Sequence, residues 1–214
     1  MIQFQCDYTE GAHESILKRL TETNYEQTIG YGCDDYCEEA RNTIRRVFGV
    51  PDAGVHFLVG GTQANATVIA AALKPYQGVI CASTGHIFVH ETGAIEATSH
   101  KVLAMPTSMG KITAAQVSHY CRAHYANSDR EHEVQPGMVY ISLPTELGTL
   151  YTKAELEALY QVCEEFHMYL FVDGARLGYG LMASDCDITP EFLAAHCDVF
   201  YAGGTKMGAL FGEA

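Results

Sequence analysis

Three short stretches of the sequence join small residues to a side chain that can do chemistry. Gly60-Gly61-Thr62 is a glycine turn ahead of a helical pattern, Asp173 directly follows an apolar run, and Lys206 lies in a second glycine-rich turn. Free N–H groups at the start of a helix bind anions, and the Thr62 hydroxyl can add a hydrogen bond. A carboxylate at a buried strand end needs a cationic partner, and a lysine amine among small residues can serve as a nucleophile.

Each stretch also has a plainer interpretation. The glycine turn could simply precede a helix that Thr62 caps. Arg176 could pair with Asp173 without any ligand, and Lys206 could be a solvated surface residue. The G-x-G-x-x-G dinucleotide pattern and the Walker loop are both absent, so the glycine turn favours a single phosphate over a nucleotide.

Two pairs of potential metal ligands recur at helical spacing. His86 and His90 lie four residues apart, which would allow them to share a zinc ion, and Cys33 and Cys37 have the same spacing. The companion ligands of the H-E-x-x-H zinc pattern are missing. We therefore predict no metal site, and a role in core packing for the two cysteines.

Apolar runs that alternate with helical patterns are expected to position these groups. Runs that are apolar on both faces are typical of parallel strands between two helix layers, and they occupy 56–59, 79–81, 101–105, 138–143, 169–172 and 199–202. Start and stop signals predict helices from 34 or 35 to 47, over 62–73 and 152–166, and from Thr189, with a polar loop over 127–135. The pattern predicts an α/β fold with three layers, α/β/α, around a mostly parallel sheet. In such a sheet ligands bind beyond the carboxyl ends of the strands, where Asp173 and Lys206 fall.

The composition fits a folded chain that binds small molecules. Hydrophobic residues make up 48% of the 214 residues, enough for a sizeable core. The formal net charge of −13 opposes binding to nucleic acid or to an anionic membrane. The eight cysteines form no compact framework, so we expect reduced thiols. The sequence has no recognisable signal peptide or membrane-spanning run, and the cytoplasm is the expected location.

The three stretches together describe a site for an aromatic aldehyde cofactor with one phosphate and a protonated ring nitrogen. Pyridoxal 5′-phosphate (PLP) has all three features. The glycine turn would hold its phosphate, Lys206 would bind its aldehyde, and Asp173 would keep its ring nitrogen protonated so that the ring can accept carbanion electrons.

The sequence also resembles the threonine aldolase group of the β-eliminating lyases, within the fold-type I, aspartate-aminotransferase-like PLP enzymes. The resemblance covers essentially the whole chain, and its motifs are Asp7-Tyr8-Thr9-Glu10-Gly11-Ala12-His13, Gly30-Tyr31-Gly32, Gly60-Gly61-Thr62-Gln63-Ala64-Asn65, His86 to Glu91, Val172-Asp173-Gly174-Ala175-Arg176 and Gly204-Thr205-Lys206. It implies a lyase of amino-acid metabolism that cleaves a β-hydroxy-α-amino acid, of the L-threonine or allo-threonine class, into glycine and an aldehyde.

The resemblance also implies a role for each cofactor-binding residue. It implies that Gly61 and Thr62 bind the phosphate, that His86 stacks on the ring and that Asp173 pairs with the ring nitrogen. It also implies that Arg176 contacts the 3′-oxygen side and that Lys206 forms the covalent bond to the cofactor.

Substrate binding and the catalytic base are assigned less directly. Tyr31 is similar to a family tyrosine that reaches into the neighbouring subunit's site, which implies a homodimer or a homotetramer. Many family members have a second histidine in the loop after the fourth strand, where this chain has Glu146. The candidates for the base that removes the β-hydroxyl proton are a bound water and three side chains, His86, His90 and Glu146. His90 is also a candidate substrate contact.

The resemblance divides the chain into an N-terminal arm over 1–24 and a PLP-binding large domain over 25–214. Family members continue into a small C-terminal domain, so we expect the large domain to be incomplete at its C-terminus. Other functions remain open: another fold-type I β-eliminating lyase, an aminotransferase, or a PLP-binding chain without catalysis.

Overall fold

Five parallel strands form one sheet in the computed structural model, which describes residues 2–214. The strands are β1 (Gln77–Ala82), β2 (Val102–Met105), β3 (Gln135–Ser142), β4 (Tyr169–Asp173) and β5 (Val199–Phe200). Their order across the sheet is β2-β1-β3-β4-β5, and every neighbouring pair is parallel. The central strand β3 is buried from its second residue onward, as expected of a strand covered on both faces.

Eight α-helices connect and flank the strands in the described part of the chain. They are α1 (Glu14–Thr23), α2 (Asp35–Phe48), α3 (Gly61–Ala72), α4 (His86–Val89), α5 (Ala114–Ala126), α6 (Lys153–Glu165), α7 (Leu177–Leu181) and α8 (Pro190–Ala195). The predicted start signals of α6 and α8 are confirmed, since Thr152 and Thr189 accept hydrogen bonds from the first turns of these helices. Within residues 2–214, none of the helices is both long and apolar enough to span a bilayer.

Helices cover both faces of the sheet, which confirms the predicted three-layer α/β/α fold. Successive residues of β3 point to opposite faces: Val139 and Ile141 join a core cluster with α5, α6 and α8, while Met138 and Tyr140 join a second cluster with α3 and α4. Helix α2 packs on the first of these faces through Phe48.

The strand prediction for 56–59 is wrong. In this segment Leu58 makes only an isolated antiparallel bridge, exchanging backbone hydrogen bonds of 2.9 and 2.8 Å with Glu213. A strand needs a ladder of bonds along a neighbouring strand, and this apolar run lies beside a single bridge residue instead. The predicted strand over 199–202 is shorter than expected, since β5 ends at Phe200.

Two predicted boundaries also move. The helix predicted over 62–73 begins one residue earlier, and Gly60 rather than Thr62 is its extended N-cap. The polar loop predicted over 127–135 contains a 3-10 turn, Arg130–His132, and its last residue already belongs to β3. The side chain of Asn127 accepts from the N–H of Asp129 at 3.0 Å, a local hydrogen bond that favours such a turn.

The parallel arrangement brings the candidate residues to one edge of the sheet. Asp173 is the last residue of β4, and Ser142 is the last residue of the neighbouring β3. The turn after β1 leads into His86 at the start of α4, and Lys206 follows β5 in a 3-10 turn, Thr205–Met207. This is the carboxyl edge, at which ligands bind in open α/β sheets.

The backbone beside Asp173 leaves no room for a side chain at Gly174. A Cβ atom added there would lie 1.9 Å from the carbonyl oxygen of Tyr201. We therefore expect Gly174→Ala to push β4 and β5 apart. Urea unfolding should show a free energy of unfolding that is lower by about 3 kcal/mol, the upper end of the usual cost of overpacking. Gly30→Ala is the matched control, because no atom lies within 4 Å of its added Cβ. Equal stability of the two variants would contradict this packing.

Candidate active site

A cleft of about 270 Å³ opens at the carboxyl edge of the sheet. Seven predicted site residues line it: Gly61, Thr62, His86, Glu146, Asp173, Arg176 and Lys206. They come from chain segments as far apart as α3 and the turn after β5, which the parallel sheet brings to one place. Tyr8, Tyr201, Phe211 and Glu213 also line the cleft.

Asp173 is buried at the base of the cleft, with 4% of its surface exposed. Its Oδ1 accepts hydrogen bonds from the Tyr201 hydroxyl at 2.5 Å and from the backbone N–H of Ala175 at 3.0 Å. Its Oδ2 accepts from the Tyr140 hydroxyl and from Asn65 Nδ2, the latter at 3.3 Å. Four neutral donors therefore satisfy the oxygens of this carboxylate despite its burial.

The two tyrosines remain protonated because of where they lie. Burial, and then the negative charge of Asp173, raises the pKa of Tyr201 far above the usual tyrosine range. The same two causes, burial first, raise the pKa of Tyr140. Both hydroxyls are therefore fixed as donors to Asp173.

Arg176 does not form an ion pair with Asp173, so the alternative in which these two residues pair without a ligand is wrong. Its guanidinium instead binds Asp7 in the N-terminal segment, with Nη2 3.2 Å from Oδ1 and a shorter bond from Nε to Oδ2. Although partial burial favours the neutral acid, the hydrogen bond and charge of Arg176 lower the pKa of Asp7. This pair fixes the segment that carries Tyr8 against the cleft.

Lys206 faces the same segment. Its Nζ lies 5.7 Å from the centre of the Tyr8 ring, and no carboxylate of residues 2–214 is within ion-pair distance of it. The turn that carries Lys206 is held by the buried Glu213, which accepts from Gly204 N–H at 3.1 Å and from Thr205 Oγ1 at 2.9 Å. Burial raises the pKa of Glu213.

His86 begins α4 at the edge of the cleft. Its Nδ1 is 2.8 Å from Oε1 of the buried Glu91, and its backbone N–H donates to Glu146 Oε1 at 2.9 Å. Glu146 Oε1 also accepts from Ser142 Oγ at 2.6 Å. The carboxylate predicted as a candidate base therefore anchors the start of α4 to the end of β3.

The glycine turn leaves the start of α3 open toward the cleft. Gly60 has extended backbone, no side chain caps the helix, and a Cβ added at Gly60 would meet no atom within 4 Å. The first-turn N–H groups, including those of Gly61 and Thr62, have no intrahelical acceptor, which is the usual basis of anion binding at a helix start.

Two predicted site residues lie outside this cleft. Tyr31 is fully exposed and has a φ of 62°. His90 is also exposed, with its ring centre 5.5 Å from that of His86. In the part of the chain that the structure describes, no three His, Cys, Asp or Glu side chains are grouped so that they could hold a metal ion.

Several residues of the site were not singled out by the sequence patterns. Tyr140 lies inside an apolar run, and its partnership with Asp173 depends on the adjacency of β3 and β4. Asn65 and Glu91 belong to the motifs of the resemblance, but neither was assigned a role. Asn65 is fully buried on α3. An amide among the small and apolar residues of a helix that follows a glycine turn is the sequence signal that could have indicated it.

Comparison with known proteins identifies the family. The model of the family described as "Beta-eliminating lyase" matches residues 3–210. The chain belongs to the beta-eliminating lyase family. One curated member of similar sequence is the low specificity L-threonine aldolase of Pseudomonas aeruginosa, which is 33% identical over 99% of this chain and 60% of its own length. A low specificity L-threonine aldolase of Saccharomyces cerevisiae is 28% identical over 74% of this chain and 41% of its own length.

Solved structures of other proteins share the fold of this chain. Leishmania major threonine aldolase superposes with a TM-score of 0.93 at 45% identity, covering 97% of this chain and 59% of that structure. Aspartate aminotransferase from Thermus thermophilus shares the fold, with a TM-score of 0.69 at 20% identity over 96% of this chain and 53% of that structure. The chain thus spans about 60% of the length of the first curated relatives that it matches.

The tyrosine donors predict a pH dependence of stability. Unfolding above about pH 10, where tyrosine ordinarily ionises, releases protons that the folded chain keeps on Tyr140 and Tyr201. The stability that they provide is complete below about pH 10 and falls as the pH rises above it. We expect Tyr140→Phe to reduce this fall by up to about 1.4 kcal/mol per pH unit in urea unfolding, and to cost about 1–3 kcal/mol at neutral pH.

Ser142→Ala is the control for this titration. It removes a hydroxyl 3.5 Å from that of Tyr140, and serine does not ionise in this range. The slope for Ser142→Ala should match that of the wild type. A Tyr140→Phe slope equal to the wild-type slope would contradict the raised pKa.

Proposed function

We propose that this protein is a PLP-dependent lyase that cleaves a β-hydroxy-α-amino acid of the threonine class into glycine and an aldehyde. One observation carries the proposal: Lys206, the buried Asp173 and the uncapped start of α3 line a single cleft. Two relatives of similar sequence are low specificity L-threonine aldolases, which supports the reaction and the substrate class.

The residues of the cleft fit PLP by their chemistry. The open first turn of α3, with Gly61 and the Thr62 hydroxyl, suits a phosphate. Asp173 suits a protonated ring nitrogen, since the donors to its buried carboxylate are all neutral. Lys206 suits the aldehyde, since its amine has no ion-pair partner among the described residues. When bound, PLP supplies an aromatic system that accepts the electron pair left on the substrate Cα.

Two side chains in the cleft compete for the role of base toward the β-hydroxyl of the substrate. Glu146 Oε1 already accepts two hydrogen bonds, from His86 N–H and from Ser142. His86 lines the cleft, and its Nδ1 is bound to Glu91. We assign the base to His86 and the anchoring of α4 to Glu146. As the β-hydroxyl proton of the substrate moves to His86, the hydroxyl oxygen becomes the carbonyl oxygen of the aldehyde and the Cα–Cβ bond breaks.

The remaining assignments follow from exposure and charge. We propose that Arg176, fixed by Asp7, faces the 3′-oxygen side of the ring. Tyr31 and His90 are exposed on this chain, and we propose that they act as substrate contacts in an assembled enzyme. We propose a reducing compartment such as the cytoplasm, which the eight unpaired cysteines of the described structure support. The threonine aldolase relatives support a role in amino-acid metabolism.

The N-terminal segment supports association into a homodimer, or a homotetramer built from dimers. We propose that residues 1–24 form an arm and 25–214 the PLP-binding large domain; Met1 lies outside the described residues. Helix α1 buries none of its residues, and large apolar side chains are exposed in the arm, such as Phe4 at 91%, and directly after it, such as Tyr25 at 92%. Exposed apolar surface of this kind marks contact sites.

Trapping the covalent bond to the cofactor tests the proposed function. We expect borohydride treatment of the PLP-loaded protein to attach the cofactor to Lys206, as located by mass spectrometry of peptides. Lys206→Ala should abolish this attachment, whereas Lys74→Ala, which changes an exposed lysine outside the cleft, should retain it. Stable attachment in Lys206→Ala would contradict the assignment.

The products distinguish the proposed cleavage from the other reactions that PLP enzymes of this fold could catalyse. With threonine as substrate, release of glycine and an aldehyde supports the proposal. Formation of a keto acid with ammonia would indicate elimination, and amino transfer to a keto acid would indicate an aminotransferase.

Self-association provides a separate test. Leu17 and Leu20 on α1 are about half exposed, at 49% and 50%. We expect sedimentation to show a dimer or larger assembly, and Leu17→Glu with Leu20→Glu to weaken it at least about tenfold, because charge opposes burial of this face. Ser15→Glu adds a charge on the opposite side of α1, at an exposed polar position, and should leave association unchanged. A monodisperse wild-type monomer would contradict the proposal.

A further inference from the structure

Glu91 is a buried carboxylate without a permanent cation beside it. It is 3% exposed, and no lysine or arginine of residues 2–214 forms an ion pair with it. Its Oε1 accepts hydrogen bonds from Asn65 Nδ2 at 2.6 Å and from His86 Nδ1 at 2.8 Å. A carboxylate this deeply buried needs strong hydrogen bonds, and the described structure gives it these two.

The amide of Asn65 fixes the position of this carboxylate. Asn65 is fully buried, and its Nδ2 donates to Glu91 and, at 3.3 Å, to Asp173. Both partners are carboxylates that only accept, so the amide nitrogen must face them. The NH₂ group of Asn65 thus links Asp173 to Glu91, the carboxylate that contacts His86.

The same donor and acceptor rule determines the proton on His86. Since Glu91 Oε1 only accepts, the proton of the shared hydrogen bond belongs to His86 Nδ1. The neutral imidazole then carries a lone pair on Nε2, which has no hydrogen-bond partner among the described residues while His86 lines the cleft.

We propose that Glu91, held by Asn65, is a positioning residue that fixes His86 as its Nδ1–H tautomer and leaves Nε2 as the proton acceptor in the cleft. The identity of the proton rests on the proposed function: the O–H bond of the substrate hydroxyl breaks and an N–H bond forms at Nε2. His86 then becomes a cation beside the negative charge of Glu91, which stabilises it.

Two buried oxygens of Glu91 and Asn65 that lack hydrogen bonds indicate that these residues have a role beyond stability. Glu91 Oε2 and Asn65 Oδ1 are buried without a hydrogen-bond partner in the described structure. Unpaired buried oxygens destabilise a fold, so apolar residues of similar shape would serve packing better at these positions. A requirement to orient His86 explains why polar side chains stand here.

Nitrogen NMR of the cofactor-free protein reads this tautomer directly. In protein labelled with ¹⁵N-histidine, long-range ¹H–¹⁵N spectra at about pH 9, well above the usual histidine range, distinguish protonated from unprotonated ring nitrogens. His86→Asn identifies the His86 signals. We expect His86 to carry its proton on Nδ1 and none on Nε2. His90 is the internal control, since it is exposed and makes no carboxylate contact in the described structure, and it should show mainly the Nε2–H form of free imidazole.

Variants at position 91 separate positioning from packing. Glu91→Gln keeps an acceptor oxygen and should retain the Nδ1–H tautomer, whereas Glu91→Leu should shift His86 to the Nε2–H form. A wild-type His86 with its proton on Nε2 overturns the proposal, and so does an unchanged tautomer in Glu91→Leu. If Glu91→Leu fails to fold, the wild-type comparison of His86 with His90 still decides the question.

Kinetics then test the catalytic consequence. We expect kcat for threonine cleavage to fall about 10- to 100-fold in Glu91→Leu with little change in KM, and to recover largely in Glu91→Gln. In a His86→Phe background, Glu91→Leu should cause no further loss. If the tautomer is as expected but no aldehyde forms from threonine, the proposed function fails while the assignment of Glu91 stands. Equal losses in both backgrounds would overturn the positioning role.

Discussion

A buried carboxylate whose hydrogen-bond donors in the described structure are all neutral is the constraint on which this site depends. Asp173 ends a strand at the base of the cleft, where a buried carboxylate without hydrogen bonds would be costly. Two tyrosine hydroxyls, an amide and a backbone N–H supply these hydrogen bonds and add no positive charge. The negative charge therefore remains available to a cationic group of a ligand, and the three side-chain donors must come from three different elements of the fold.

The elements with local signals were predictable from the sequence. The helix starts at Thr152 and Thr189 are confirmed, because hydrogen bonds within one turn determine them. The edge of the sheet at which Asp173, Lys206 and Gly61 meet was also predictable, since parallel strands with crossover helices bring their carboxyl ends together. That much of the candidate site depends on chain order and topology alone.

The remaining contacts depend on which strands become neighbours, and spacing does not carry that information. Tyr140 reaches Asp173 only because β3 and β4 are adjacent, and Asn65 reaches Glu91 across 26 residues of sequence. The partner of Arg176 could not be chosen from spacing, because a nearby acid competes with Asp7 in the N-terminal segment. The apolar run over 56–59 predicted a strand because an apolar pattern reports residue type alone; Phe57 and Val59 are exposed, and no neighbouring strand pairs with the run.

The protonation state of the ring nitrogen of bound PLP tests the central claim most directly. PLP labelled with ¹⁵N in its ring and bound to this protein can be observed by nitrogen NMR at neutral pH. The account predicts a protonated ring nitrogen in the wild type and loss of that proton in Asp173→Asn, which keeps the shape of the side chain but removes its charge. An unprotonated ring nitrogen in the wild type, or one whose protonation does not change in Asp173→Asn, would contradict it.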